Sequence, residues 1–130
     1  MGEFDVVVGA GSLRSPSTDA VHFPHRWTDK GVTVESAFTG AHLLHLAVAG
    51  CVLNDVYREA VGLGLVVNGV RVTATGGFNT DTWASTGISY TLQLDSDAAA
   101  ADLDELVAVV DAVAEIPKSI RAGASVLREH

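Results

Sequence analysis

Hydrophobic and polar positions along this chain fall into blocks of different period. The longest block, Gly40 to Gly62, spreads Leu43, Leu44, Leu46, Ala47, Val48, Cys51, Val52 and Val56 over almost every direction of a helical wheel in its first half. A helix apolar all round has to be enclosed by protein, so the pattern predicts a central helix. Asn54, Asp55, Arg58 and Glu59 enter in the second half and predict that this end approaches solvent. Gly62 and Gly64 supply the stop. At 1.5 Å per residue, about 22 residues run on the order of 33 Å, the width of a small domain.

A strict alternation follows. Val70, Val72 and Ala74 face away from Arg71, Thr73 and Thr75, and Ile88, Tyr90, Leu92 and Leu94 alternate with Ser89, Thr91, Gln93 and Asp95. Period two over this length predicts half-buried antiparallel strands. Gly76-Gly77-Phe78-Asn79-Thr80-Asp81 reads as the turn that makes them a hairpin. Ser96-Asp97 is the expected cap of a second helix, Ala98 to Glu115. Its Leu103, Leu106, Val107, Val110 and Val113 recur at helical spacing, which predicts an amphipathic helix lying on the sheet and ended by Pro117. Ahead of the central helix, Phe4–Val8, Val21–Trp27 and Gly31–Ser36 read as short strands, with Gly9 to Ser17 as a loop; Ala124–Leu127 reads as a last one. The order βββ-α-ββ-α-β, with hairpins in place of crossovers, predicts an α+β fold in a single domain over residues 1–130.

Composition narrows the function. Eight Lys and Arg against sixteen Asp and Glu give a formal net charge of −8, which repels a phosphate backbone and argues against nucleic acid as a partner. One cysteine excludes an intrachain disulfide. The start, Met1-Gly2-Glu3-Phe4-Asp5, has no basic region of a signal peptide, and the longest apolar run, Ala41 to Leu53, is too short for a bilayer. The expectation is a soluble, cytoplasmic protein without a membrane role.

Several constellations fail on their own chemistry. Val6-Val7-Val8-Gly9-Ala10-Gly11 opens like a dinucleotide fingerprint, but Arg14 stands where the third glycine is needed and Ser15-Pro16 breaks the required helix. His42 and His45 share a helical side, yet Cys51 lies nine residues from His42, half a turn round, and cannot complete a metal set with them. His22 and His25 flank Pro24 in an extended stretch. These spacings predict neither a metal nor another cofactor.

Cys51 remains. Gly50 beside it costs about 1 kcal/mol of helix propensity, and Ala47, Ala49 and Gly50 thin the helix around the thiol, leaving room for a second element or a ligand. The run Phe38-Thr39-Gly40-Ala41-His42-Leu43-Leu44, then Ala49-Gly50-Cys51, Ala60-Val61-Gly62-Leu63 and the strand Val70-Arg71-Val72, resembles the osmotically inducible protein C / organic hydroperoxide resistance (OsmC/Ohr) family. Gly87-Ile88-Ser89-Tyr90 and Ile116-Pro117-Lys118-Ser119 fit the same template, so the likeness runs from about residue 36 onward. It implies an intertwined homodimer with sites at the subunit interface. It also implies a thiol peroxidase, in which a helical cysteine reduces an organic hydroperoxide. Cys51 matches the attacking position, and Arg14 is the nearest match to the arginine that steadies the thiolate, with Arg26 as the fallback. Where the family carries its second cysteine this chain has Ile116, and its arginine-orienting acid falls near Ala41. A sulfenic acid on Cys51 would therefore need an external thiol as reductant.

A thiol near pKa 8.5 is about 3% thiolate at pH 7, and lowering it to about 6 takes roughly 3.4 kcal/mol. One charge-assisted bond from arginine supplies about 1.5–3 kcal/mol. On the helix Asp55 sits 40° and Arg58 20° from Cys51, so Asp55 opposes the thiolate unless Arg58 neutralises it. Three functions stay open: a single-cysteine peroxidase using Cys51 and Arg14; a dimer binding a hydrophobic small molecule, with Trp27, Phe38, Phe78 or Trp83 lining the site; or general-base chemistry at His42 or His45. A homodimer is expected besides, because the apolar central helix exceeds what one chain can cover.

Overall fold

Five strands form one sheet in the order β2-β3-β1-β4-β5, every neighbouring pair antiparallel. They are β1 (Val6–Gly11), β2 (Val21–Phe23), β3 (Val32–Glu35), β4 (Gly69–Phe78) and β5 (Ser85–Asp95). Three helices accompany them: α1 (Gly40–Leu63), α2 (Ala100–Val113) and α3 (Glu115–Ala122). The computed structural model describes residues 2–129. Among these, no helix is long and apolar enough to cross a membrane.

The sheet is α+β as the alternation predicts. Val8 on the middle strand pairs with Val34 on one side and Val72 on the other, and Val72 pairs with Leu92. This row of β-branched and leucine side chains crosses the sheet on one face, and α1 packs on β1 and β4. Val8, Val70, Val72 and Ala74 join Val52, Leu53 and Val56 of α1 in one core. Thr39 caps α1, its Oγ1 accepting from the His42 amide at 3.2 Å, and Gly64 ends it at φ +69°, a left-handed conformation that suits a residue without Cβ.

Several expectations are corrected. The first strand runs through Gly9-Ala10-Gly11, predicted as loop, because it is paired on both edges. Gly11, at φ +62°, closes against the Asn68 carbonyl, leaving no room for a side chain. β2 stops at Phe23, since Pro24 has no N–H for the ladder. β4 absorbs Gly76-Gly77-Phe78, so the turn shifts to residues 79–84, where the Asn79 side chain accepts from the Asp81 and Thr82 amides. Ser96 does not cap α2. It donates to the Val66 carbonyl and accepts from the Ala98 amide, and Ala99 stands uncapped at the helix start.

Helix α2 packs on α1 and α3, its Leu106 and Val110 share the core of the sheet residues Val70, Val72 and Ala74, and the Tyr90 hydroxyl of β5 reaches Asp111 at 2.6 Å. It ends at Val113, and Pro117 sits in the first turn of α3, where its missing N–H has no helical partner to lose. Ala124–Leu127 forms no strand and leaves Val126 and Leu127 exposed. In α1 the C-terminal end reaches solvent as expected, with Asn54, Arg58, Val61 and Leu63 exposed, but Asp55 is buried and Leu43 and Ala47 in the first half are exposed in the single chain.

Candidate functional site

A cavity of ≈ 610 Å³ opens between the sheet and the middle of α1. Val8, Val32 and Val34 give it a sheet wall, Leu46, Gly50, Cys51 and Asn54 a helix wall, and Glu115 and Ile116 close it from the start of α3. The loop after β2 forms the remaining side with Phe23 to Trp27. His25 holds that loop to the helix: its Nε2–H donates to Asn54 Oδ1 at 2.9 Å, while Nδ1 lies within hydrogen-bond distance of Thr28 Oγ1, at 2.8 Å. This clasp brings Arg26, stacked 5.0 Å over the Trp27 ring, to the cavity rim.

Cys51 is nine-tenths buried, at 8% exposure. Its Sγ lies 3.8 Å from Asp55 Oδ2, the i+4 neighbour expected to oppose the thiolate. Among the described residues no guanidinium or ammonium bonds to the sulfur. Burial above all pushes the thiol up to about 11; the Ile116 amide pulls the other way, and the negative charges of Asp55 and Glu115 add to the rise. Burial also raises the Asp55 carboxyl, against the pull of Arg58. Arg58 holds Asp55 at 3.1 Å and Glu115 at 3.5 Å. Arg58 also pairs with Glu59 at 3.1 Å, so one guanidinium faces three carboxylates, leaves the surroundings net negative and makes no bond to the sulfur.

Cys51, Asp55 and Glu115 present ligand atoms within 4.8 Å of one another, the donor set that could hold a metal. The Arg58 guanidinium already bonds to both carboxylates, so a cation at this set would have to compete with it.

Gly50 looks onto open space. A Cβ built there meets nothing within 4 Å, and the residue lines the cavity. Gly50→Ala is therefore expected to gain about 0.8–1 kcal/mol from helix propensity. That corresponds to a melting temperature higher by roughly 3–5 °C in thermal unfolding. A lower melting temperature would mean that a packed element occupies this side of the helix.

Of the residues singled out from the sequence, the fold brings Cys51, Arg26 and Trp27 to one cavity. Arg14 lies outside it, its Nε donating to the Gly11 carbonyl at 3.1 Å. His42, His45 and Phe78 gather instead around Phe4, where His45 stacks on Phe78 at 6.2 Å. His45 is fully buried; its Nδ1 donates to the Phe4 carbonyl at 2.8 Å, and Nε2 has no partner. Phe38, at the α1 entrance, is 87% exposed, and Trp83, on the β4–β5 connection, is 73% exposed. Asn54 and Glu115 escaped the sequence reading. Asn54 is one helical turn from Cys51 and carried a signal of position. Glu115 is 64 residues away in sequence and carried none.

The fold and the cavity permit comparison with known proteins. The family model described as OsmC-like protein matches residues 33–127. An OsmC-like protein from Mycoplasma pneumoniae superposes with a TM-score of 0.60 at 15% identity, over 79% of this chain and 86% of that one. An OsmC-like hydroperoxide resistance protein from Jannaschia sp. CCS1 superposes with a TM-score of 0.53 at 14% identity, over 97% of this chain and 92% of that one. No curated protein matches the chain in sequence. At these identities the solved structures speak for the fold, while the family model spans most of the chain: the protein belongs to the OsmC-like family.

Proposed function

We propose that this chain is an OsmC-like binding module that holds a small hydrophobic molecule in the cavity beside a protonated Cys51. The surroundings of the sulfur carry this reading: burial and two carboxylates favour the neutral thiol, and the Arg58 guanidinium bonds to those carboxylates and not to the sulfur. The cavity's volume falls in the range of small-molecule sites, and its walls are mostly apolar. A homodimer is part of the proposal. It is supported by the exposed Leu43, Ile116 and Ile120 and by the apolar tail residues Val126 and Leu127, which one chain leaves uncovered.

Arg26 favours a second reading, since it lines the same cavity as Cys51. If it turned toward the sulfur, a thiolate could attack the terminal oxygen of an organic hydroperoxide. The S–O bond forms, the O–O bond breaks and the alcohol leaves. Two external thiols then reduce the sulfenic acid, releasing water and a disulfide. The two readings part in one assay. With a dithiol and cumene hydroperoxide, the binding module consumes no more peroxide than its Cys51→Ser variant. Consumption abolished by Cys51→Ser would establish the peroxidase instead. Binding itself is read from Trp27 fluorescence in a Trp83→Phe background, where 1-octanol is expected to give a saturable change.

A further inference from the structure

Arg26 is the one Lys or Arg among the described residues of the cavity wall. It belongs to a chain with twice as many acids as bases, yet it forms no ion pair among the described residues. Its only recorded side-chain interaction is with the face of Trp27, which leaves the N–H donors of the guanidinium open. The other charged group on the wall, Glu115, is already taken by Arg58 at 3.5 Å. The cavity thus offers one uncommitted positive charge at the edge of an apolar volume.

The loop that carries Arg26 is held in place. Both ring nitrogens of His25 are engaged, one with Asn54 on α1 and one with Thr28, so the guanidinium is carried by a segment anchored to the helix wall. A guanidinium stacked on Trp27 at the rim of an apolar cavity selects a planar anion with an apolar body, because the fork of N–H groups matches two carboxylate oxygens. From this arrangement we infer that the occupant is an apolar carboxylic acid, its carboxylate on Arg26 and its hydrocarbon between Leu46, Leu53 and the valines of β1 and β3. The inference rests on the binding-module reading and adds the ligand's chemical class. It also gives Arg26 work that does not involve the sulfur.

The test compares octanoate with 1-octanol at pH 7 and low salt, by Trp27 fluorescence in the Trp83→Phe background. Octanoate is expected to bind about tenfold more tightly, with an affinity that weakens as salt is raised. Arg26→Gln should remove that advantage, so that octanoate binds no more tightly than octanol in the same variant, and Arg26→Lys should restore part of it. If octanol saturates the signal and octanoate binds no better, the carboxylate assignment is overturned while the binding module stands. If neither ligand produces a saturable change, the binding reading itself fails.

Discussion

At pH 7 Cys51 is expected to react with iodoacetamide about two orders of magnitude more slowly than a free cysteine thiol. With the thiol pushed up to about 11, only about one molecule in ten thousand carries the thiolate at neutral pH, against about 3% for a reference thiol. Burial alone would slow the reaction at every pH. The profile of rate against pH separates the two causes, since a raised acid constant delays the rise until pH approaches 11. Asp55→Asn should bring that rise to lower pH, because it removes one of the negative charges that oppose ionisation. A rate that levels off below pH 8 would mean that a cation reaches the sulfur, and would return the peroxidase reading to first place.

The same raised value links Cys51 to stability. The unfolded chain gives up its thiol proton near 9, and the folded chain does so only near 11. The folded state therefore holds the proton more firmly, so this contribution is complete below pH 9 and is lost as pH rises through 11. A two-unit window is worth on the order of 2–3 kcal/mol. Urea unfolding at pH 8 and pH 11 should show wild type losing that much more stability than Cys51→Ser, which has no thiol to titrate.

Leu106→Ala is expected to cost about 2–5 kcal/mol, a third or more of the stability of a marginal domain. Leu106 and Val110 are the buried side chains of α2, both at 0% exposure. That helix has no side-chain cap and packs on α1 and α3. Truncating Leu106 removes the larger of its two anchors and leaves a void against α1, whose helix partners cannot close it without moving. The measurement is the urea midpoint, which should fall with an unchanged denaturant slope. Leu103→Ala, one turn earlier and only partly buried, is the control and should cost less. A loss below 1 kcal/mol for Leu106→Ala would show that α2 is held by something other than its core face.

The accuracy of the sequence reading followed the range of the interactions concerned. Gly40–Leu63 was legible almost to the residue, because helix periodicity and the glycine stop at Gly62 and Gly64 are local signals. The alternation of β4 was equally plain, with Val70, Val72 and Ala74 all buried. Ala124–Leu127 looked like a strand, but pairing is non-local and among the described residues no strand pairs with it. Gly9-Ala10-Gly11 looked like a loop for the converse reason: two neighbouring strands hold a stretch of poor intrinsic strand formers in place.

Taken alone, the sequence determined that a lone thiol would sit on a long apolar helix within an antiparallel α+β fold, with Asp55 turned toward it. Those are matters of period, and each residue's period is set by its near neighbours. Which arginine stands near the thiol was decided by the tertiary structure. Arg14 turns back to Gly11, Arg58 is bound to Asp55 and Glu115, and Arg26 reaches the cavity because His25 fastens its loop to Asn54. Charges act through space over a few ångströms, and Glu115 comes within that range of Cys51 only when α3 folds back onto α1.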